Sequence, residues 1–288
     1  MTITKLEIPV ICQDGTRIST TQYMPETITE GHILLAGATG VPQGFYTRFA
    51  QYAVAKGFAV RTLDYRGVGA SAPKTLRGYR MNYLDWGRQD LSATLEDIEA
   101  RNPSQAIFML GHSYGGHGFG LMPNHHKVKK FYTFASGAGW SGHMPQSERF
   151  KVWLMWNVIG PISVPLLGYM HGKVIGGENL PRDVFYQWKR WCQFPHYFFD
   201  DPTMIDELAQ FELVRTPIKA ANALDDAWAM PTSRDHFFKG YKNAPCTTVD
   251  IDPTQFGAKG IGHMGYFRRG SERLWDDALD WFIRLDKL

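Results

Sequence analysis

"FMLGHSYGGHG", Phe108 to Gly118, sets a serine in the pattern G-x-S-x-G directly behind a run of large apolar residues. In a chain of 288 residues with 29 glycines the bare pattern is a modest signal, so its surroundings carry the weight. An apolar run that ends in glycines and resumes as a helix reads as strand, tight turn and helix start. The small residues Gly111, Gly115 and Gly116 let such a turn present the Ser113 hydroxyl. The N–H of Tyr114 then falls in the first helical turn, where it has no intrahelical acceptor and can face a developing anion.

Upstream, "KLEIPVIC" and "RISTTQYM" alternate with a two-residue period and meet at Asp14-Gly15, which predicts an antiparallel hairpin. Beyond Pro25 short apolar runs alternate with helical periods. "HILLAGA", "FAVRTLDY", "AIFMLGH", "VKKFYTFAS", "TPIKAANAL" and "CTTVDI" read as strands. Helices are expected through "FYTRFAQYAVAKG", through Asp90 to Arg101 with Leu91, Leu95 and Ile98 on one face, and through Leu274, Ala278, Leu279 and Phe282. The pattern predicts an α/β fold: a mainly parallel central sheet with an N-terminal antiparallel hairpin and helices on both faces.

About 80 residues separate the strand ending near Ser136 from the one starting near Pro217, where a crossover helix needs about 15 to 20. Residues 137–216 are therefore expected to form a lid inserted into a core made of residues 1–136 and 217–288. Trp140, Trp153, Trp156, Trp188 and Trp191 fall inside it, and no long polar linker bounds it, so it should pack on the sheet.

Several function classes drop out on composition. A net charge of +3, with Lys and Arg scattered among acids, gives no nucleic-acid footprint. Cys12, Cys192 and Cys246 are odd in number and far apart, which argues against a disulfide framework and a structural zinc site. A reducing compartment fits, and with no basic-then-apolar leader at the N-terminus the expected location is cytoplasmic. Val152 to Met170 runs nineteen residues without a charged side chain, but Gly160, Pro161, Pro165 and Gly168 interrupt it. It is read as an apolar surface folded against the protein, not a stable membrane span. "GATG" and the Y-x-x-x-K of Tyr52 to Lys56 hint at a dinucleotide enzyme, yet they lie twelve residues apart instead of roughly a hundred, and Pro42 occupies the phosphate turn.

A serine hydroxyl needs a base within hydrogen-bond reach, the base needs a carboxylate to fix its tautomer, and the oxyanion needs N–H donors. Here a resemblance enters. "LGHSYGG" resembles the nucleophile elbow of the α/β-hydrolase superfamily. "LDYRGVGAS", Leu63 to Ser71, is similar to its D-x-R-G-x-G-x-S stretch, "LLAGATG" sits where it carries its H-G-x oxyanion loop, and "IGHMGYFR" is similar to the loop that delivers its histidine. The resemblance runs in order from Gly31 to Leu288 and is closest to a lidded serine hydrolase, an esterase or an S33-like serine aminopeptidase.

It implies Ser113 as nucleophile, His263 as base and an acid in "AANALDDAWAMP". Asp226 is preferred because Pro231 stands nearer to it; Asp225 is the alternative, and the unused one is expected to be a loop-capping or surface carboxylate. Tyr114 and Ala38 are the implied oxyanion donors, with Ala36-Gly37 departing from the usual His-Gly. No cofactor and no metal are expected.

Of the remaining histidines, His125-His126 reads as solvated, while His32, His112 and His117 read as packing or hydrogen-bonding residues. His196 is a candidate for touching substrate. From Trp140 to Phe199 the three acids Glu148, Glu178 and Asp183 face six bases, Arg149, Lys151, Lys173, Arg182, Lys189 and Arg190. That balance disfavours holding a substrate ammonium and points to a small acyl substrate, cleaved as a carboxylic ester through an acyl-enzyme. Aminopeptidase, thioesterase, acyltransferase and a non-catalytic ligand binder of the same fold are the alternatives, and the oligomeric state is open.

Overall fold

The computed structural model describes residues 3–256 and 260–284. Side-chain alternation sorts its central strands between two cores. Ile33, Leu35, Phe108 and Leu110 fall on one face, Leu34, Ala36, Ile107 and Met109 on the other, as a two-residue period requires. The strands are β1 (Thr4–Ile11), β2 (Arg17–Met24), β3 (Gly31–Ala36), β4 (Phe58–Leu63), β5 (Ile107–His112), β6 (Phe131–Phe134), β7 (Ile218–Ala223) and β8 (Cys246–Ile251). They form one sheet in the order β1-β2-β4-β3-β5-β6-β7-β8. Only β2 runs antiparallel to its neighbours, and β3 through β8 are parallel. The expected hairpin is present: Gly15 takes φ 80° and its N–H bonds the Cys12 carbonyl at 2.9 Å.

Helices α1 (Thr47–Ala55), α2 (Ser92–Arg101) and α3 (Tyr114–Gly118) follow β3, β4 and β5. Between β6 and β7 lie α4 (Gln146–Leu167), α5 (Arg182–Trp191) and α6 (Ile205–Leu213), with a two-residue antiparallel pairing of Tyr169–Met170 and Leu180–Pro181. α7 (Pro231–Phe238) follows β7, and α8 (Glu272–Ile283) comes last. The last helix carries the expected stripe: Leu274, Ala278, Leu279 and Phe282 join Phe49, Ala53 and Val54 of α1 under one face of the sheet. The opposite face is covered by Leu95 and Ile98 of α2 and by Val152, Met155, Trp156, Val184 and Phe185 of α4 and α5.

The order places β3 between β4 and β5, so the crossovers leave it in opposite directions and open a crevice at the strands' carboxyl ends. Behind the crevice the D-x-R-G stretch acts as a brace. Arg66 pairs with Asp90 at 2.7 Å and Asp14 at 2.6 Å, and Asp64 accepts from the N–H groups of Gln43 (2.7 Å) and Ala70 (3.0 Å). The dinucleotide-like Tyr52 and Lys56 both bind Asp276 of α8, at 2.7 and 3.0 Å, and so tie two helices together.

Candidate active site

Three predicted site residues sit just past a strand end, Ala38 after β3, Ser113 after β5 and Asp226 after β7, while Tyr114 opens α3 and His263 stands in the segment between β8 and α8. Ser113 takes φ 54° and ψ −109°, a backbone conformation costly for any residue with a side chain. The turn is pinned by Ser113 N–H to the Phe134 carbonyl (2.9 Å), Gly116 N–H to the Ser113 carbonyl (2.9 Å) and the Ser136 hydroxyl to that same carbonyl (2.8 Å). It is also tight. A methyl on Gly115 would lie 2.1 Å from the Ala36 carbonyl oxygen, backbone that cannot rotate away. Gly115→Ala is accordingly expected to cost at least about 2 to 3 kcal/mol of stability, read as a lower urea midpoint.

His263 Nε2 stands 3.0 Å from Ser113 Oγ, and its Nδ1 stands 3.0 Å from both carboxylate oxygens of Asp226. The structure thus brings together three side chains spread over 150 positions. Asp226 is fully buried. Burial alone would raise its pKa, but the His263 ring, the Ala229 N–H (3.1 Å) and the Tyr266 hydroxyl (3.2 Å) outweigh it and hold the carboxyl below its usual value. Trp228 N–H adds a further bond at 3.1 Å. Asp225 has a different position: it accepts the backbone N–H groups of Ile261 (2.7 Å) and Gly262 (3.1 Å), clamping the loop that carries His263.

Of the two expected N–H donors, Tyr114 opens α3 and has no helical acceptor behind it. Ala38 differs from expectation. Its N–H donates to the Tyr46 hydroxyl at 2.8 Å. Donor logic orients the rest of that chain. His112 Nε2 lies 2.9 Å from the His263 carbonyl, which can only accept, so Nε2 carries the proton and Nδ1 is bare. The Tyr46 hydroxyl therefore donates to His112 Nδ1, 2.9 Å away, while accepting from Ala38. Ala38, Tyr46, His112 and the backbone of His263 form one directed relay. Tyr46 lies in the expected helix stretch and Tyr266 in the histidine loop, but nothing in either pattern marks its hydroxyl as part of the site.

The other histidines are structural or peripheral. His117 Nε2 donates to the Gly137 carbonyl at 2.8 Å, and His196 pairs with Asp200 (3.0 Å) and stacks on His236 (4.9 Å), not on His263. His125 is buried against Phe119, contrary to the solvated reading, and only His126 is exposed, because the short helical turn they share buries one ring and shows the other.

Burial pushes His112 and His117 from near 6.5 down to about 3. Between those values only the unfolded chain takes up the protons, so stability is lost as pH falls from 6.5 toward 3, by up to about 1.4 kcal/mol per pH unit for each histidine. Urea midpoints are expected to fall steadily from pH 7 to pH 5; a flat series would contradict the neutral assignment.

This sheet order, with a serine behind β5, a carboxylate behind β7 and a histidine beyond β8, defines an α/β-hydrolase. The profile of the serine aminopeptidase S33 family matches residues 29–236, and the chain belongs to that family. Among solved structures it is similar to an esterase domain from a Rhodothermus marinus protein, at 16% identity and TM-score 0.58 over 98% of each chain. It is also similar to a soluble variant of monoglyceride lipase from Saccharomyces cerevisiae, at 13% identity and TM-score 0.64 over 96% of this chain and 95% of that one. A third likeness is the thioesterase domain of the curacin biosynthetic pathway, at 12% identity and TM-score 0.57, covering 97% and 100%. At such identities the likeness is one of fold. No curated protein matches the sequence.

Proposed function

We propose that the protein is a serine hydrolase that cleaves a carboxylic ester. The reading is supported above all by one observation: Ser113 Oγ, His263 and Asp226 lie in line at 3.0 Å contacts, with Oγ raised on a strained backbone. Ser113 Oγ attacks the acyl carbon as His263 Nε2 takes its proton, and Asp226 holds the imidazolium. The oxyanion rests on the Tyr114 N–H; Ala38 adds a second donor once its N–H leaves Tyr46. Collapse releases the alcohol, protonated by His263, and leaves the acyl group on Ser113. Water, deprotonated by His263, then frees the acid.

Residues 137–216 serve in this reading as the lid. Trp156, Trp188 and Trp228 follow one another toward His263 in edge-on and tilted contacts, with centroid spacings of 5.0, 5.7 and 6.5 Å, an aromatic wall suited to an apolar acyl group. The aminopeptidase alternative has little support for holding an ammonium: of the three acids between Trp140 and Phe199, Glu148 pairs with Lys151 and Asp183 with Arg80, which leaves the single exposed Glu178 and no cluster among the described residues. A fluorophosphonate probe is expected to label Ser113, read by peptide mass. A panel of p-nitrophenyl esters of increasing chain length with an aminoacyl amide included should then show ester turnover and no amide turnover. A protein that stays unlabelled, or that prefers the amide, would overturn the proposal.

A further inference from the structure

Helix α4 spends its inner side on the core through Val152, Met155, Trp156 and Val164. Its outer side is exposed and apolar: Phe150 at 66%, Trp153 at 53%, Ile162 at 58% and Leu166 at 67%. They form one stripe because the π-helical turn Met155–Ile159 adds about one residue to the helical count and returns Ile162 and Leu166 to the side of Phe150 and Trp153. Among the described residues this is the one helix long and apolar enough to cross a membrane. A crossing would tear its inner side out of the core.

We infer that α4 is an interfacial helix that lies flat on an anionic lipid surface. Two features favour that occupant. Charge brackets the stripe with a cationic excess: Arg149 and Lys151 stand against Glu148 alone on its first turns, Arg77 binds the Leu166 carbonyl at 2.7 Å at its far end, and no charged residue lies between Val152 and Met170. The nearest acid, Glu148, is paired with Lys151. A second copy packed antiparallel on the stripe would set cationic end against cationic end, whereas anionic headgroups complement both ends while Trp153 and Phe150 enter the acyl boundary. The inference stands whether or not Ser113 is a nucleophile.

Flotation of the full chain with vesicles tests it. Wild type is expected to float with vesicles of equal parts phosphatidylcholine and phosphatidylglycerol, about tenfold more strongly than with phosphatidylcholine alone, and to be released by high salt. Combining Phe150→Ser, Trp153→Ser, Ile162→Ser and Leu166→Ser should lower binding at least about tenfold with an unchanged melting curve. Wild type that stays in the buffer with both vesicles would sink the inference. So would light scattering that shows a wild-type dimer which the fourfold variant makes monomeric, for then the stripe is a self-interface. Should the fourfold variant fail to fold, the wild-type comparison across lipids and salt still decides.

Discussion

Ser113→Ala is expected to lower kcat for a p-nitrophenyl ester by a factor on the order of 10⁶ while leaving the urea midpoint near that of wild type. The substitution removes the atom that would form the acyl bond and nothing that the core uses. Ser113 contributes its backbone N–H and carbonyl to the elbow, and both remain in alanine. The positive φ must be borne by either residue, so the strain cancels between them. Turnover within tenfold of wild type would mean that another group performs the attack.

Asp226→Asn carries the second large effect, about 10⁴ in kcat, by way of a tautomer. Oδ1 accepts the N–H groups of Trp228 and Ala229, so an asparagine there keeps its carbonyl on that side and turns its NH2 toward His263 Nδ1. Nδ1 must then accept, its proton moves to Nε2, and the nitrogen facing Ser113 is no longer a base. Asp225→Asn has a smaller consequence: it sets an NH2 against one of the two N–H groups it now clamps, loosening the loop for a loss of about tenfold. Equal losses in the two variants would reverse the assignment of the acid.

The strands could be read from the chain because a strand buried on both faces is a short apolar run, and "HILLAGA" and "AIFMLGH" are such runs. The elbow could be read because steric crowding leaves glycine as the one residue that fits at Gly115. Ordering Asp225 and Asp226 was harder, since neighbouring carboxylates in a loop differ only by which way the chain turns after β7, and no local pattern encodes that direction. The partner of the Ala38 N–H was out of reach altogether. It depends on Tyr46 reaching back from the next segment, a contact that exists only once β3, β5 and the loop past β8 are assembled. Likewise the register shift in α4 that gathers Phe150 and Leu166 on one side has no signature in a 3.6-residue count.

The bond from His112, oriented by the Tyr46 hydroxyl, moors the main chain of His263 to β5, the strand that Ser113 directly follows. The gap between oxygen and imidazole is thereby governed by the innermost layer of the molecule. Outer helices can breathe, or settle onto another surface, without detuning it. Heat should silence the chemistry only when the central strands themselves part.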